Sequence, residues 1–384
     1  MSYNLVDSQQ AVRDMVKEFG EDEIAPISKD LDRKPPEFPM DLYKKMAAKG
    51  FMAFPVAEQY GGMGRKKIDY ATLIEELSWF DASVSIIMAV TNLASYPIEK
   101  FGSEEQKRKY LPKMCSGEWI GAFALTEPDA GSDAGNQQTS VVEEGDNYIL
   151  NGEKIFISSG NVADVTVVIG KIPREGEKDL ISAFIVEGKP NQGNGFTSEI
   201  LKWKMGLRGS TTARLKLENV KIPKSNMLGE PGKGFRIALT TLDSARTGVA
   251  SQAVGIAQRA FDESIKYAKT RKQFGAPIAK LQAIQWMIAD MSTRLEAARL
   301  LTYKVAMMED KGERFSKEAA QAKLFAAEAA NFCADKAMQI HGGYGYIGEF
   351  SNIEKLYRDQ RITEIYEGTS EVQRLVIAAS YLRG

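Results

Sequence analysis

The spacing of apolar residues along this chain changes twice. In the first third, Val12, Val16 and Phe19 fall three or four apart, and the run from Tyr70 to Phe80 repeats that step, so the period predicts amphipathic helices. Gly102-Ser-Glu-Glu-Gln106 reads as a capping box ahead of Tyr110 and Leu111, with Ser103 taking the Gln106 N–H and Gln106 reaching back. Pro35-Pro36 and Tyr60-Gly-Gly-Met-Gly64 break this part into pieces. From about 121 the period shortens to two. Tyr148–Ser158 reads as two strand-like runs about Asn151-Gly152, a hairpin signal. Val165–Ile169, Ile181–Val186 and Ala213–Leu217 continue the alternation until Pro223 and the glycines from Gly229 to Gly234 close it. Beyond 235 the helical step returns. Val254, Ala257, Phe261, Ile265 and Ala268 make one stripe, and Ile284, Met287, Met291, Leu295 and Ala298 a second. A third helix starts at Ser316 and runs to about Ile340, and Val372, Leu375, Val376, Ala379 and Leu382 give a last helix one apolar face. Long helices with short links predict a bundle. The boundaries are 1–120, 121–234 and 235–384, and the α–β–α order is not that of a doubly wound nucleotide fold.

Composition then narrows the chemistry. The chain has 384 residues, 43% of them hydrophobic and 26% charged, enough for two or three cores. Lys+Arg is 50 and Asp+Glu is 51, so no net field recruits nucleic acid or an anionic membrane. The single histidine, His341, and two distant cysteines, Cys115 and Cys333, exclude a site built from several histidines and a disulfide framework, and point to a reducing cytoplasm. Met1-Ser-Tyr-Asn-Leu lacks the segments of a signal peptide, and no apolar run is long enough for a bilayer. Hard redox chemistry would need an organic cofactor.

Ile365–Arg374 sets the carboxylate of Glu367 beside a glycine at the entrance of the last helix. The first N–H groups of a helix have no partner inside it, so a carboxylate there lies near donors that can grip a carbonyl oxygen. A base beside such a clamp is what removing a proton α to a carbonyl requires. Taken alone, Glu367 reads first as a helix-entry acid complementing the dipole. Gly343-Tyr-Gly-Tyr-Ile-Gly348 matches the dinucleotide fingerprint G-x-G-x-x-G, but that motif must follow a strand. Here it follows helical residues, and the glycines end a helix.

Phe123–Gly135, Ile155-Phe-Ile-Ser-Ser-Gly160, Arg271–Ile278, Gln339-Ile-His-Gly-Gly343 and Tyr366-Glu-Gly-Thr369, with Pro55–Gly62, stand in the order and spacing of one family. Over its whole length the chain resembles the acyl-CoA dehydrogenases, in particular the short-chain, butyryl-CoA dehydrogenase-like members. The resemblance implies a multi-domain α+β fold: an N-terminal helical domain, a central β-barrel or β-sandwich domain and a C-terminal four-helix bundle. It implies FAD, a homotetramer built as a dimer of dimers, and an electron-transfer flavoprotein as acceptor.

It also implies roles. Phe123, Leu125 and Thr126 would lie along the flavin, with Thr126 bonding the ring and Ser132 near the pyrophosphate and the pantetheine. Phe156 would pack on the isoalloxazine beside Ile157, and Ser158 would donate to N5, the atom that receives the hydride. Strict alternation sends Phe156 and Ser158 to one face and Ile155 and Ile157 to the other. Many relatives carry Trp, Thr and Asn where this chain has Phe156, Ser158 and Ser159. Arg271, Gln273 and Phe274 would reach the FAD of a neighbouring subunit, completed by Gln282, Gln339, Gly342 and Gly343, whereas Thr369 and Glu371 would contact the FAD of their own. Outside the family context, Arg271 complements a helix C-terminus. His341 is given no catalytic role.

Asp243 and Arg246 match the pair beside the CoA, with Gly368 also on the substrate; alone, the pair reads as a surface ion pair at i,i+3. Some relatives carry their catalytic glutamate just before this arginine, where this chain has Ala245, so Glu367 is the base candidate at either family position. The implied reaction is dehydrogenation of an acyl-CoA thioester to the 2-enoyl-CoA, with Glu367 taking the α-proton. Val84–Pro97, expected to line the acyl pocket, holds no Lys, Arg or His, which disfavours dicarboxylic substrates and leaves short-chain, branched or alicyclic groups. An oxidase on the same fold and a catalytically silent flavoprotein or assembly partner are the alternatives.

Overall fold

A computed structural model describes residues 7–382; the Met1–Leu5 segment lies outside them. The N-terminal part consists of α1 (Asp7–Phe19), α2 (Ser28–Arg33), α3 (Met40–Ala48), α4 (Lys67–Phe80), α5 (Ala82–Phe101) and α6 (Glu104–Cys115). Val12, Val16 and Phe19 are buried as their spacing predicts. The Ser103–Gln106 capping box is present with both of its hydrogen bonds. Helix α4 departs from the amphipathic pattern: it runs through the interior, and Asp69, Thr72, Glu75 and Ser78 are buried along with its apolar residues.

The middle part is one sheet: β1 (Gly121–Ala124), β2 (Ser140–Glu144), β3 (Asn147–Ser158), β4 (Val165–Ile172), β5 (Leu180–Glu187), β6 (Phe196–Ile200), β7 (Thr212–Pro223) and β8 (Met227–Leu228). The strands run β6-β7-β3-β2-β4-β5-β8, and β1 pairs parallel with β4. The hairpin is not at Asn151-Gly152. It lies at Gly145-Asp146, where Glu144 faces Asn147, and β3 continues unbroken through Asn151-Gly152 with a register shift against β7. Gly152 is there for close approach, since a Cβ would come 2.5 Å from Thr139 Oγ1.

The C-terminal part holds α7 (Gly234–Thr270), a hairpin of β9 (Lys272–Gln273) and β10 (Ala276–Pro277), α8 (Gln282–Asp310), α9 (Ser316–His341), α10 (Gly343–Tyr346), α11 (Ile353–Gln360) and α12 (Ser370–Leu382). Buried alanines along α9 let it lie close against α7 and α8. Gly342, just before the would-be fingerprint, ends α9 at φ 57, and the fingerprint's Gly343 and Gly345 fall within the short α10 instead of ending α9 themselves. Helix α12 forms, but its apolar face is incomplete: Leu375 and Leu382 are 69% and 82% exposed. Shared cores join the three parts. Ala94 and Ile98 of α5, Phe123, Val165 and Val167 of the sheet and Ile237 of α7 pack together, so α5 is wedged between sheet and bundle.

Candidate active site

That wedge leaves a cavity of ≈ 890 Å3 bounded by α4, α5, the sheet, α7 and the loop before α12. Its size is that of a pocket for a large organic ligand. Of the residues singled out in the sequence, Phe123, Leu125, Thr126, Ser132, Phe156, Ile157, Ser158, Arg246, Glu367, Gly368 and Thr369 all line it. Asp243 stands behind Arg246, and Glu371 is exposed on the first turn of α12.

The sheet wall owes its shape to a bulge. Lys154 pairs with Leu215 and Ile157 with Ala213, so β3 carries one residue more than β7 between those pairs. Phe156 adopts φ 62, and strict alternation ends there. Phe156, Ile157 and Ser158 consequently all reach the cavity, where alternation had sent Ile157 to the opposite face. The Phe156 ring is 65% exposed. An uncovered aromatic face beside the hydroxyls of Thr126 and Ser158 fits a planar, hydrogen-bonding ring system, and the residues present fit FAD.

A buried ion pair, not foreseen in the sequence, ties this wall together. Lys154 Nζ donates to Glu127 Oε1 at 2.7 Å, Gln137 Oε1 at 2.6 Å and the Leu125 carbonyl at 3.0 Å. Ile155 N–H binds the Thr126 carbonyl at 2.9 Å. Burial pulls the Lys154 ammonium down to about 8, opposed by Glu127. The legible signal was a lysine at an inward position of a strand.

Opposite stands the loop of Glu367, between α11 and α12. Glu367 has φ 54 and Gly368 φ 94. The two carbonyls are held by side chains: Arg246 Nε at 3.3 Å and Gln373 Nε2 at 3.2 Å on Glu367, Lys323 Nζ at 2.8 Å and Gln373 Nε2 at 2.7 Å on Gly368. At φ 94 a side chain at Gly368 would be strained, and a Cβ would come 2.7 Å from Gln373 Nε2 and displace that amide. Among the described residues, no protein acceptor takes the N–H of Glu367 or Gly368. Burial pushes the Glu367 carboxyl up to about 7, opposed by Arg246 and Lys323, and among the described residues its Oε2 has no hydrogen-bond partner. Arg246 is only 4% exposed, with Nη1 2.6 Å from Asp243 Oδ1. This is a buried pair, not a surface one. Lys323 and Gln373 were missed: one is the middle of three lysines in an alanine-rich helix, the other an amide on the first turn of α12, next to a loop whose course is invisible in one dimension.

Along α5, Ser85, Ile86, Ala89 and Leu93 line the cavity, and that stretch brings no cation. Another helix does. Lys67 of α4 enters the cavity lining, with its Nζ 2.7 Å from Ser244 Oγ and 3.3 Å from Glu309 Oε1. Its charge is already met by Glu309.

The remaining residues form a second group. Arg271 caps α7; Gln273 and Phe274 lie in the β9–β10 hairpin, Gln282 opens α8, and Gln339, Gly342 and Gly343 surround the end of α9. None lines the cavity. They share one exposed region: the Arg271 guanidinium lies 5.2 Å from the Tyr344 ring centroid, and Phe274 is 91% exposed.

The chain matches the models of three consecutive domains of one family: acyl-CoA dehydrogenase N-terminal domain over residues 6–118, middle domain over 122–220 and C-terminal domain over 232–382. It is 45% identical over 384 residues, 100% of both chains, to the short-chain specific acyl-CoA dehydrogenase of Clostridium acetobutylicum. Among solved structures it is similar to butyryl-CoA dehydrogenase from Megasphaera elsdenii, with 41% identity over 100% of both chains and a TM-score of 0.95. A chain in the structure described as the electron transferring flavoprotein of Acidaminococcus fermentans gives 44% identity over 100% of both chains and a TM-score of 0.95.

Proposed function

The chain belongs to the acyl-CoA dehydrogenase family, and from that premise we propose how its residues perform the reaction. It is an FAD-dependent acyl-CoA dehydrogenase, an oxidoreductase that converts a saturated acyl-CoA to the 2-enoyl-CoA. FAD, when bound, supplies the acceptor for the β-hydrogen and its electron pair. Phe123, Leu125, Thr126, Phe156, Ile157 and Ser158 would hold its ring, and Ser132 its phosphate end.

Glu367 is the base. The observation that carries this is the backbone around it: three side chains hold the carbonyls of Glu367 and Gly368, while among the described residues the Glu367 N–H has no protein acceptor. That N–H is placed to take the thioester oxygen, stabilising charge as it develops on the carbonyl. Burial brings the carboxyl to about 7, close to working pH, where a general base is most effective. Arg246 and Asp243 lie on the side from which the CoA chain would enter, with Gly368 beside the thioester.

The acyl group is short-chain in this reading, as in the short-chain specific relatives, with an α5 wall that brings no cation and Lys67 already paired with Glu309. An electron-transfer flavoprotein takes the electrons, and the second residue group reaches the FAD of a neighbouring subunit in a homotetramer. The test is anaerobic addition of acyl-CoAs of graded length and shape to the purified yellow holoprotein. Short saturated acyl-CoAs should bleach the flavin most completely. Preference for glutaryl-CoA would overturn the pocket reading, and no bleaching by any acyl-CoA would overturn the reaction.

A further inference from the structure

Lys323 sits midway along α9 among Ala319, Ala320, Ala322, Ala326 and Ala327, and 0% of it is exposed. A lysine withdrawn from water normally pairs with a carboxylate. Among the described residues this one has no ion pair; its one hydrogen bond goes to the Gly368 carbonyl at 2.8 Å.

We propose that Lys323 is a positioning residue for the base: it holds the Gly368 carbonyl out of the cavity, fixing the left-handed turn that presents the Glu367 N–H, and its positive charge favours the carboxylate form of Glu367. The inference rests on Glu367 being the base. The groups facing Glu367 are Tyr70 from α4, Arg246 with Asp243 behind it from α7, Lys323 from α9 and Tyr366 from its own loop, while Glu364 and Glu371 of α12 face Lys323. Two of these are cations. Arg246 is neutralised at 2.6 Å by Asp243, whereas Lys323 has, among the described residues, no carboxylate at ion-pair distance, and Glu364 and Glu371 act on it more weakly than Glu367 does. Its field therefore acts on Glu367 with less cancellation. The backbone requires the same residue. Glu367 at φ 54 is strained for a residue with a side chain. Such strain persists where surrounding contacts over-determine it, and Lys323, Arg246 and Gln373 are those contacts. Burial lowers the Lys323 ammonium to about 8, and Glu367 is the foremost group opposing that shift.

The test uses Lys323→Met, Lys323→Gln and Lys323→Arg as FAD-loaded holoproteins, with flavin content and thermal transition recorded first. The readout is the pH profile of anaerobic flavin bleaching by the best acyl-CoA. In the Met and Gln variants the rising limb should move about 1 pH unit or more upward, as loss of a nearby opposite charge raises a carboxyl pKa. Lys323→Arg should keep the limb in place. An unmoved limb in the Met and Gln variants, or a loss by one factor at every pH, overturns the proposal. If neither of these two variants folds, a shifted limb in the Arg variant does so. Glu367→Gln separates the two readings. Normal bleaching there removes the base itself. A silent Glu367→Gln with an unmoved limb in Lys323→Met removes only the role of Lys323.

Discussion

At the scale of single residues, the site turns on one carboxyl whose proton must leave near neutral pH. Glu367 in water would titrate near 4.5, and burial brings it to about 7. The carboxyl is then mostly protonated below that value, and a protonated acid cannot accept the α-proton. In the free enzyme, kcat/KM should therefore rise about tenfold per pH unit below about 7 and level off above it. A profile flat from pH 5 to pH 8 would contradict this. Replacing the carboxylate by an amide of the same shape removes the base and keeps the packing. Glu367→Gln should lower turnover by about 10²–10⁴ while FAD stays bound, measured as steady-state rate and flavin content. Glu367 and Ala245 were legible in the sequence because a motif names them directly. Lys323 and Gln373 were not, since each acts through a backbone carbonyl that only the folded loop brings within reach.

At the scale of elements, most segments were readable from their period, and the failures share a cause. Tyr148–Ser158 was read as two strands, the second strictly alternating, but it is one strand that absorbs an extra residue at Phe156 and another irregularity at Gly152. A bulge changes which face a side chain takes without changing composition. Asn151-Gly152 resembles a turn and is in fact a close approach to Thr139. The Glu127–Lys154 pair then fixes the bulged segment to the Leu125–Thr126 loop. Lys154→Met leaves Glu127 buried without its partner, which should cost about 3–5 kcal/mol and weaken FAD binding. Adding Glu127→Gln should restore much of that stability, because the stranded charge is then gone. Thermal transitions of the two holoproteins decide it. Equal stability of Lys154→Met and wild type would mean that the pair holds nothing.

At the scale of the whole molecule, the sequence motifs fall into two places. Eleven of the singled-out residues line one cavity, while Arg271, Gln273, Phe274, Gln282, Gln339, Gly342 and Gly343 share an exposed region away from it. Phe274, Trp286, Tyr344, Tyr346 and Phe350 leave large apolar surfaces there, and an exposed patch of that kind marks an interaction site. If the patch of one subunit completes the FAD site of its neighbour, two crippled chains should repair each other. In a hybrid dimer of Glu367→Gln with Arg271→Leu, one site carries both lesions and the other carries neither. Random pairing in a symmetric dimer then leaves about a quarter of all sites intact. Co-expressed and assayed without added FAD, the mixture should show activity near that fraction, although each variant alone is nearly inactive. Activity no higher than the average of the two variants would place both residue groups in the same chain's site, and the arginine would then be a helix-capping cation and nothing more.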